Sequence, residues 1–464
     1  MGVGVSGWNL ARSVSLCGQL GVVSGTALDA VLVRRLQEGD PGGHMRRALA
    51  AFPFPGVSER IVRKYYREEG TPAGKPYIAK PLVGQERSHY LDELLVAANF
   101  AEVWLAKEGH EHRVGINFLH KIQAPLLPSI FGAMLAGVDV VLVGAGIPLD
   151  ISGILDGLAA GNPVEMKLDV KGASAGTAHK LTFDPSLISG TQNYRVPRPL
   201  FFPIVASNTL AALMVSKCGD GVDGLVVEGA TAGGHNAPPR GPKKYTDSGE
   251  PLYGARDEVN TDALKDLGVP FWMAGSYGSP ERLSAALEAG ATGIQVGTLF
   301  ALSDESGLRP DLKKQIITQS LQNELSVYTD AVASPTGFPF KVVTSVEDTI
   351  ADPEQYANRS RVCDLGYLRE AFETQDGRLD WRCPADDVKR YVAAGGQAEQ
   401  TEGRLCLCNG LMATIGLGQV RKDGSAELPL LTGGDDVSGV PHLVADGAAS
   451  YPSTRVISWL LADS

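Results

Sequence analysis

The sequence predicts an α/β protein of the (β/α)8 TIM-barrel class, with insertions and a C-terminal appendage. Two observations lead there. From residue 1 to about 300, short β-branched apolar runs alternate with amphipathic helical stretches. Most runs are continuously apolar, as parallel strands covered on both faces require. Repeated βα units of this kind build either a closed barrel or an open doubly wound sheet. The loops at 274–298, described below, favour the barrel.

The first helix is "GWNLARSVSLCGQLG", with Leu10, Val14 and Cys17 on one face. Only "MGVGVS" precedes it, a stretch with the character of a βα loop whose strand is absent. The expectation is therefore seven clear barrel strands in 20–300 and residues Met1 to Val5 at the barrel's mouth. A gap is expected where strand one belongs, with the native start about one strand and its lead-in upstream. The strand candidates are "LGVVSG" (20–25), "HRVGINFL" (112–119), "VDVVLVGAG" (138–146) and "LFFPIVAS" (200–207). "VDGLVVEGA" (222–230), "VPFWMAGS" (269–276) and "TGIQVGTLF" (292–300) complete the set. Between the last two lies "SPERLSAALEAG", where Ser279 caps, Pro280 suits the first helical position and Gly290 closes the end. Leu283, Ala286 and Leu287 supply its inward stripe.

Two insertions interrupt the alternation. Residues 40–90, rich in Pro, charge and aromatics, are expected to form a helical flap over one end. Residues 161–199 alternate in the manner of a short hairpin. After about 345 the repeats stop and the composition shifts to Asp, Arg and Cys, which places a boundary between a 1–345 barrel and a 346–464 appendage.

The whole composition, 44% hydrophobic and 20% charged over 464 residues, is ordinary for a soluble globular chain. A net charge of -11 argues against nucleic acid or an anionic membrane as the main partner. The most apolar stretch, "GAMLAGVDVVLVGAGIPL", carries Asp139 and four glycines and reads as helix end, strand and loop, not as a membrane span. Six cysteines without regular spacing and no secretory signal point to a reducing, cytoplasmic setting.

Three stretches carry chemistry. In "MAGSYGSPERL" a strand runs through a loop of small residues into a capped helix, whose free N–H groups make an anion site. Gly275 and Ser276 allow close approach of a phosphate there, and in "GIQVGTLF" Gly297 and Thr298 end the next strand in the same way. Two successive small, polar βα loops match the phosphate site that barrels build after strands seven and eight. The alternative is that these glycines only make tight turns. The third stretch, "VVEGATAGGHNA", lies one βα unit earlier and puts His235 on the catalytic face behind the pair Gly233 and Gly234. A lone histidine is more often structural, but the strand-end position behind two glycines favours chemistry. His110 and His112 flank a strand start and form no metal motif.

These motifs together resemble the nitronate monooxygenase (2-nitropropane dioxygenase-like) family of FMN enzymes. "AGGH" after a strand, "AGSYGSPERLSAALEAGATGIQVGT" with "ALSDES" behind it, and the opening "MGVGVSGWNLARSVSLCGQLGVVSG" carry the likeness. "VGINFL" and "SVYTDAVASPTGFPFKVV" extend it over roughly residues 1–343. The resemblance implies FMN as cofactor, with Met1, Gly2, Val3 and Gly4 along its ring, Asn117 hydrogen-bonding it, and Gly275, Ser276, Gly297 and Thr298 around its phosphate. Gly233 and Gly234 would leave room over the ring, and His235 would be the base that takes a proton α to a nitro group. The chain departs from the family's nitronate oxidisers in having Glu228 and Thr231 where they have Gln-Gly-x-Glu, which bears on substrate more than on flavin.

The implied activity is oxidation of alkyl nitronates with dioxygen, the partners being a small molecule and oxygen. A second reading on the same scaffold is an NAD(P)H-dependent flavin enoyl reductase or quinone reductase, with His235 as proton donor. No dinucleotide fingerprint is present, so NAD(P)H would bind transiently. A third reading is a non-catalytic FMN-binding subunit. The C-terminal quarter holds Cys363, Cys383, Cys406 and Cys408, read as reduced packing thiols, with a structural zinc as the alternative and an iron–sulfur cluster behind it.

Overall fold

The computed structural model describes residues 2–84, 88–174, 176–190, 194–445 and 448–462. The seven apolar runs become seven strands of one sheet: β1 Gly21–Ser24, β2 Val114–Leu119, β3 Val140–Gly144, β4 Leu200–Val205, β5 Leu225–Glu228, β6 Phe271–Ala274 and β7 Gly293–Gln295. Each pairs in parallel with the strand before it. A doubly wound sheet would reverse its order at a switch point. This one never does, so the chain winds in one direction as a (β/α) barrel does.

Side-chain alternation divides the sheet into two cores. Val23, Ile116, Phe118, Val141, Val143, Phe201, Val227 and Phe271 face outward beneath the helices and merge into the large outer core. Val140, Leu142, Phe202, Val226 and Ala274 point the other way, with Val22, Ile204 and Trp272 packed on them, and fill the interior. Phe202 and Trp272 stack there with ring centres 4.8 Å apart.

Among the described residues no strand lies between β7 and β1. The first residues partly serve that edge. Ser6 accepts from the Ser24 N–H (2.8 Å) and its hydroxyl donates to the Val22 carbonyl (2.6 Å). On the other side the Gly307 N–H donates to the Val5 carbonyl (2.9 Å). The backbones touch so closely here that a Cβ on Gly307 would lie 2.1 Å from the Gly4 oxygen. Edge groups that would otherwise be buried without partners are thereby satisfied.

The helices of the 40–90 insertion pack into the outer core rather than as a flap over one end. Helices His44–Ala50 and Pro55–Tyr65 bury Met45, Leu49, Val57, Ile61 and Tyr65 there. The reason lies in their patterning: the apolar positions recur at helical spacing and seat against the long helix His89–Lys107. The 161–199 insertion contains the expected hairpin, Val164–Leu168 against His179–Phe183. The helix after β6 begins as its sequence indicates, with the Ser279 hydroxyl accepting from the Arg282 N–H (3.3 Å) and Pro280 in first position.

Residues beyond 345 fold back onto the first third of the chain. Strand Glu370–Glu373 pairs in parallel with Val170–Lys171 and antiparallel with Leu379–Arg382. Leu365, Tyr367, Met412 and Leu417 share a core with Val3, Ala27, Val31, Leu95 and Ile122. Arg34, nearly fully buried, donates to the Leu417 carbonyl (2.6 Å) and pairs with Asp364 (3.2 Å). No helix among the described residues is long and apolar enough to cross a membrane.

Candidate active site

The C-terminal ends of the strands converge on a cleft with about 940 Å³ of empty space, its open mouth included. Asn117 of β2, Gly144 of β3, Ile204 of β4, Glu228 of β5 and Gln295 of β7 reach it from below. Gly2 and Val3 close one side, and Gly233, Gly234 and His235 another. Of the residues the sequence brought forward as a site, Gly2, Val3, Asn117, Gly233, Gly234 and His235 line this cleft. Met1 lies outside the described residues. Gly4, Gly275, Ser276, Gly297 and Thr298 do not line the cleft itself.

His235 sits under Phe340, their rings edge to face with centres 4.8 Å apart. Its Nε2 lies 2.6 Å from the Ser334 hydroxyl, which in turn meets Thr336 Oγ1 at 2.8 Å. Which partner donates depends on the imidazole tautomer. Although the ring keeps some surface toward the cleft, burial dominates its protonation and pushes its pKa down to about 4. Burial acts in the opposite sense on Glu228, raising its carboxyl to about 7. The usual order is inverted: at neutral pH the histidine is uncharged while the glutamic acid is near its midpoint.

The glycine pair before His235 now has a physical cause. Gly234 adopts φ +84°, which a side chain rarely tolerates. A Cβ on Gly233 would lie 2.7 Å from the carbonyl carbon of Gly433, so the close approach is by the chain's own backbone. The segment Thr432–Gly433–Gly434 lies against the histidine loop. Thr432 Oγ1 accepts from the Gly234 N–H (2.9 Å), and Thr298 Oγ1 accepts from the Gly434 N–H (2.9 Å).

The two small loops after β6 and β7 are neighbours of this segment. Gly275 and Ser276 both take positive φ, +93° and +57°, and a Cβ on Gly275 would meet Thr231 and Ala232 at 3.1–3.2 Å. Gly297 is different: a Cβ there would find nothing within 4 Å. Gly297 is exposed, and the Thr298 hydroxyl beside it is engaged by the Gly434 N–H.

The far wall comes from Cys408 and from residues that sequence reasoning assigned no role: Tyr367, Leu368, Leu407 and Thr432. Tyr367 is fixed by its hydroxyl donating to the Asp29 carboxylate, and burial holds its phenol well above the usual pKa. Asp29 pairs with Lys80 at 2.9 Å, both side chains being buried. Nothing near Tyr367 in sequence marks it. Glu228 was visible, as a lone acid ending the run "LVVE". Ser334 was not, since 99 positions separate it from His235.

A singly wound parallel barrel whose strand ends carry a buried, uncharged histidine into a cleft defines the class: a TIM-barrel-type α/β protein with its site at the C-terminal face. Residues 197–377 match the model of the family described as Nitronate monooxygenase. A "Probable nitronate monooxygenase" of Staphylococcus saprophyticus is 35% identical over 120 residues, 26% of this chain and 31% of that protein. A "(3aS,4S,5R,7aS)-5-hydroxy-7a-methyl-1-oxo-octahydro-1H-indene-4-carboxyl-CoA dehydrogenase" of Rhodococcus jostii is 26% identical over 125 residues, 27% of this chain and 30% of that protein. The matches thus span less than a third of these curated relatives. Among solved structures, FabK from Thermotoga maritima has a TM-score of 0.47 at 16% identity, covering 99% of this chain and 88% of that one. A nitroalkane oxidase from Streptomyces ansochromogenes has a TM-score of 0.47 at 14% identity, covering 100% and 93%.

Proposed function

We propose that the protein is an FMN-dependent oxidoreductase that oxidises alkyl nitronates with dioxygen. The observation that carries this reading is His235 on the cleft wall behind Gly233 and Gly234, its Nε2 held by the Ser334 hydroxyl. Gly2 and Val3 would border the flavin ring, Asn117 would offer its amide, and the loops at 275–276 and 297–298 would receive the phosphate. The open space at Gly297 supports that fit. When bound, FMN would supply the electron-transfer chemistry that amino-acid side chains lack.

The residues of this chain govern the proton. A neutral imidazole has a free lone pair and accepts the α-proton of a nitroalkane at Nδ1 or Nε2, according to its tautomer. Ser334 holds the ring in place, and its hydroxyl can rotate between His235 and Thr336 as the imidazole gains charge. Leu407, Leu411 and Phe340 keep bulk water from the reacting carbon. An enoyl reductase would ask the same histidine to donate a proton, and the choice between the two readings rests on which reductant the flavin accepts.

Anaerobic mixing tests the reading. Propyl-2-nitronate should bleach the flavin while NAD(P)H leaves it yellow; the reverse selects the reductase. His235→Ala should lose turnover of neutral nitroalkanes by about 100-fold or more, the usual worth of a positioned base. Preformed nitronate should still be consumed, because its proton has already left. Equal losses on both substrates would show that His235 binds or orients and is not the base.

A further inference from the structure

Cys363, Cys383, Cys406 and Cys408 come from three separated segments of the chain, yet all four line one small cavity with about 350 Å³ of empty space. Every one of the six pairs among them is close enough for the charge on one sulfur to be felt by the other. Each sulfur also faces an N–H donor. The backbone of Gly366 reaches Cys363, that of Ala385 reaches Cys383, and those of Tyr367 and Leu368 reach Cys408. The Asn409 side chain donates to the Cys406 sulfur at 3.6 Å. Two guanidiniums stand close by, Arg369 beside Cys363 and Arg359 beside Cys406.

Plain packing does not account for this arrangement. Neutral thiols are weak acceptors and behave as small apolar groups, needing neither aligned N–H donors nor nearby cations. Burial by itself pushes the Cys363, Cys383 and Cys408 thiols up and keeps them neutral, so the donors and cations suit them only once an occupant holds them as thiolates. A zinc ion would draw four thiolates onto a tetrahedron with Zn–S bonds of about 2.3 Å, which sets the sulfurs roughly 4 Å apart. Among the described residues no group of three or more His, Cys, Asp or Glu side chains is placed to hold a metal ion. Four cysteines around one cavity, not placed to hold a single metal ion, fit a larger occupant that binds thiolates.

We propose that Cys363, Cys383, Cys406 and Cys408 ligate an iron–sulfur cluster of the [4Fe–4S] type, with the cavity between them as its seat. Four cysteine thiolates are the ligand set of such clusters, and N–H bonds to sulfur together with local charge tune them. The site adjoins the cleft: Leu368, Leu407 and Cys408 line both cavities. The cluster therefore fixes the far wall of the cleft, tying the 363–368 and 406–408 segments to one rigid body.

The test uses the whole protein purified without oxygen, then supplied with ferrous iron and sulfide. About four irons and about four acid-labile sulfides per chain are expected. Dithionite should then produce a low-temperature paramagnetic signal that flavin does not give. Cys383→Ser and Cys408→Ser should lower the iron content at least several-fold, while Cys17→Ser and Cys218→Ser leave it unchanged. One zinc per chain without sulfide overturns the proposal. So does a protein that takes up no metal and shows all four thiols free to a thiol reagent after anaerobic unfolding. If the serine variants fail to fold, the iron and sulfide counts on the wild-type chain decide alone. Flavin is measured separately after acid release, so yellow protein without iron refutes only the cluster, and iron-loaded protein without flavin refutes only the FMN reading.

Discussion

Replacing His235 by Gln removes a titrating group whose protonation the fold opposes, and the effect on stability can be worked through. In the unfolded chain the imidazole has its ordinary value of 6.5, and in the folded protein burial lowers it to about 4. Between these values the unfolded state binds more protons than the folded one, so wild-type stability rises with pH across that window and is fully present above it. At pH 4.5 the wild type has lost about 2.5 kcal/mol of the stability it holds at pH 7.5, from two units at about 1.4 kcal/mol each with a little returned by native-state protonation. The Gln variant lacks this loss. Its missing hydrogen bond to Ser334 costs about 1 kcal/mol at every pH and drops out of the comparison. Glu228 acts in reverse, its raised value making stability fall as pH climbs from 4.5 to about 7, but it does so in both proteins. For a chain of 464 residues the unfolding entropy is about 1 kcal/mol per kelvin, so 2.5 kcal/mol corresponds to roughly 2.5 °C. Thermal scans of flavin-free wild type and His235→Gln should therefore show the variant gaining roughly 2.5 °C on the wild type as pH drops from 7.5 to 4.5. An unchanged difference in Tm between the two pH values would refute the burial of His235 as a neutral base.

Gly297→Asp should fold normally, since its Cβ enters open space, yet the carboxylate would repel a phosphate; colourless protein of wild-type Tm is expected, and a normal flavin spectrum would sink the phosphate assignment. Gly307→Ala places a methyl 2.1 Å from the Gly4 oxygen and must push the Gly2–Val5 turn away, so flavin affinity should fall at least tenfold in a titration, and unaltered affinity would separate that turn from the site. Lys80→Met leaves Asp29 buried beside Tyr367 without its cation and should cost about 3–5 kcal/mol, read as a drop of several degrees in Tm; a loss under 1 kcal/mol would mean water reaches the pair.

The sequence by itself determined the barrel. Seven apolar runs at 20–300 became the seven strands in unbroken chain order, because two-faced burial demands continuous apolarity and leaves a local signature. The Ser279–Pro280 helix start was legible for the same reason: capping is satisfied within four residues. So was the gathering of Gly2, Val3, Asn117 and the Gly233–His235 loop at one end, which follows once the strand ends are known. What only the tertiary structure decided is how the last quarter of the chain meets the rest. The partner of His235, the backbone of Gly433 against Gly233, and the Tyr367–Asp29–Lys80 chain all join residues far apart in sequence. The same holds for the protonation of His235 and Glu228. Residue type gives an intrinsic pKa, but burial sets the actual one, and burial belongs to the assembled fold. The four cysteines show the division most sharply: their spacing in the chain follows no ligand pattern, and only folding brings their sulfurs around one cavity.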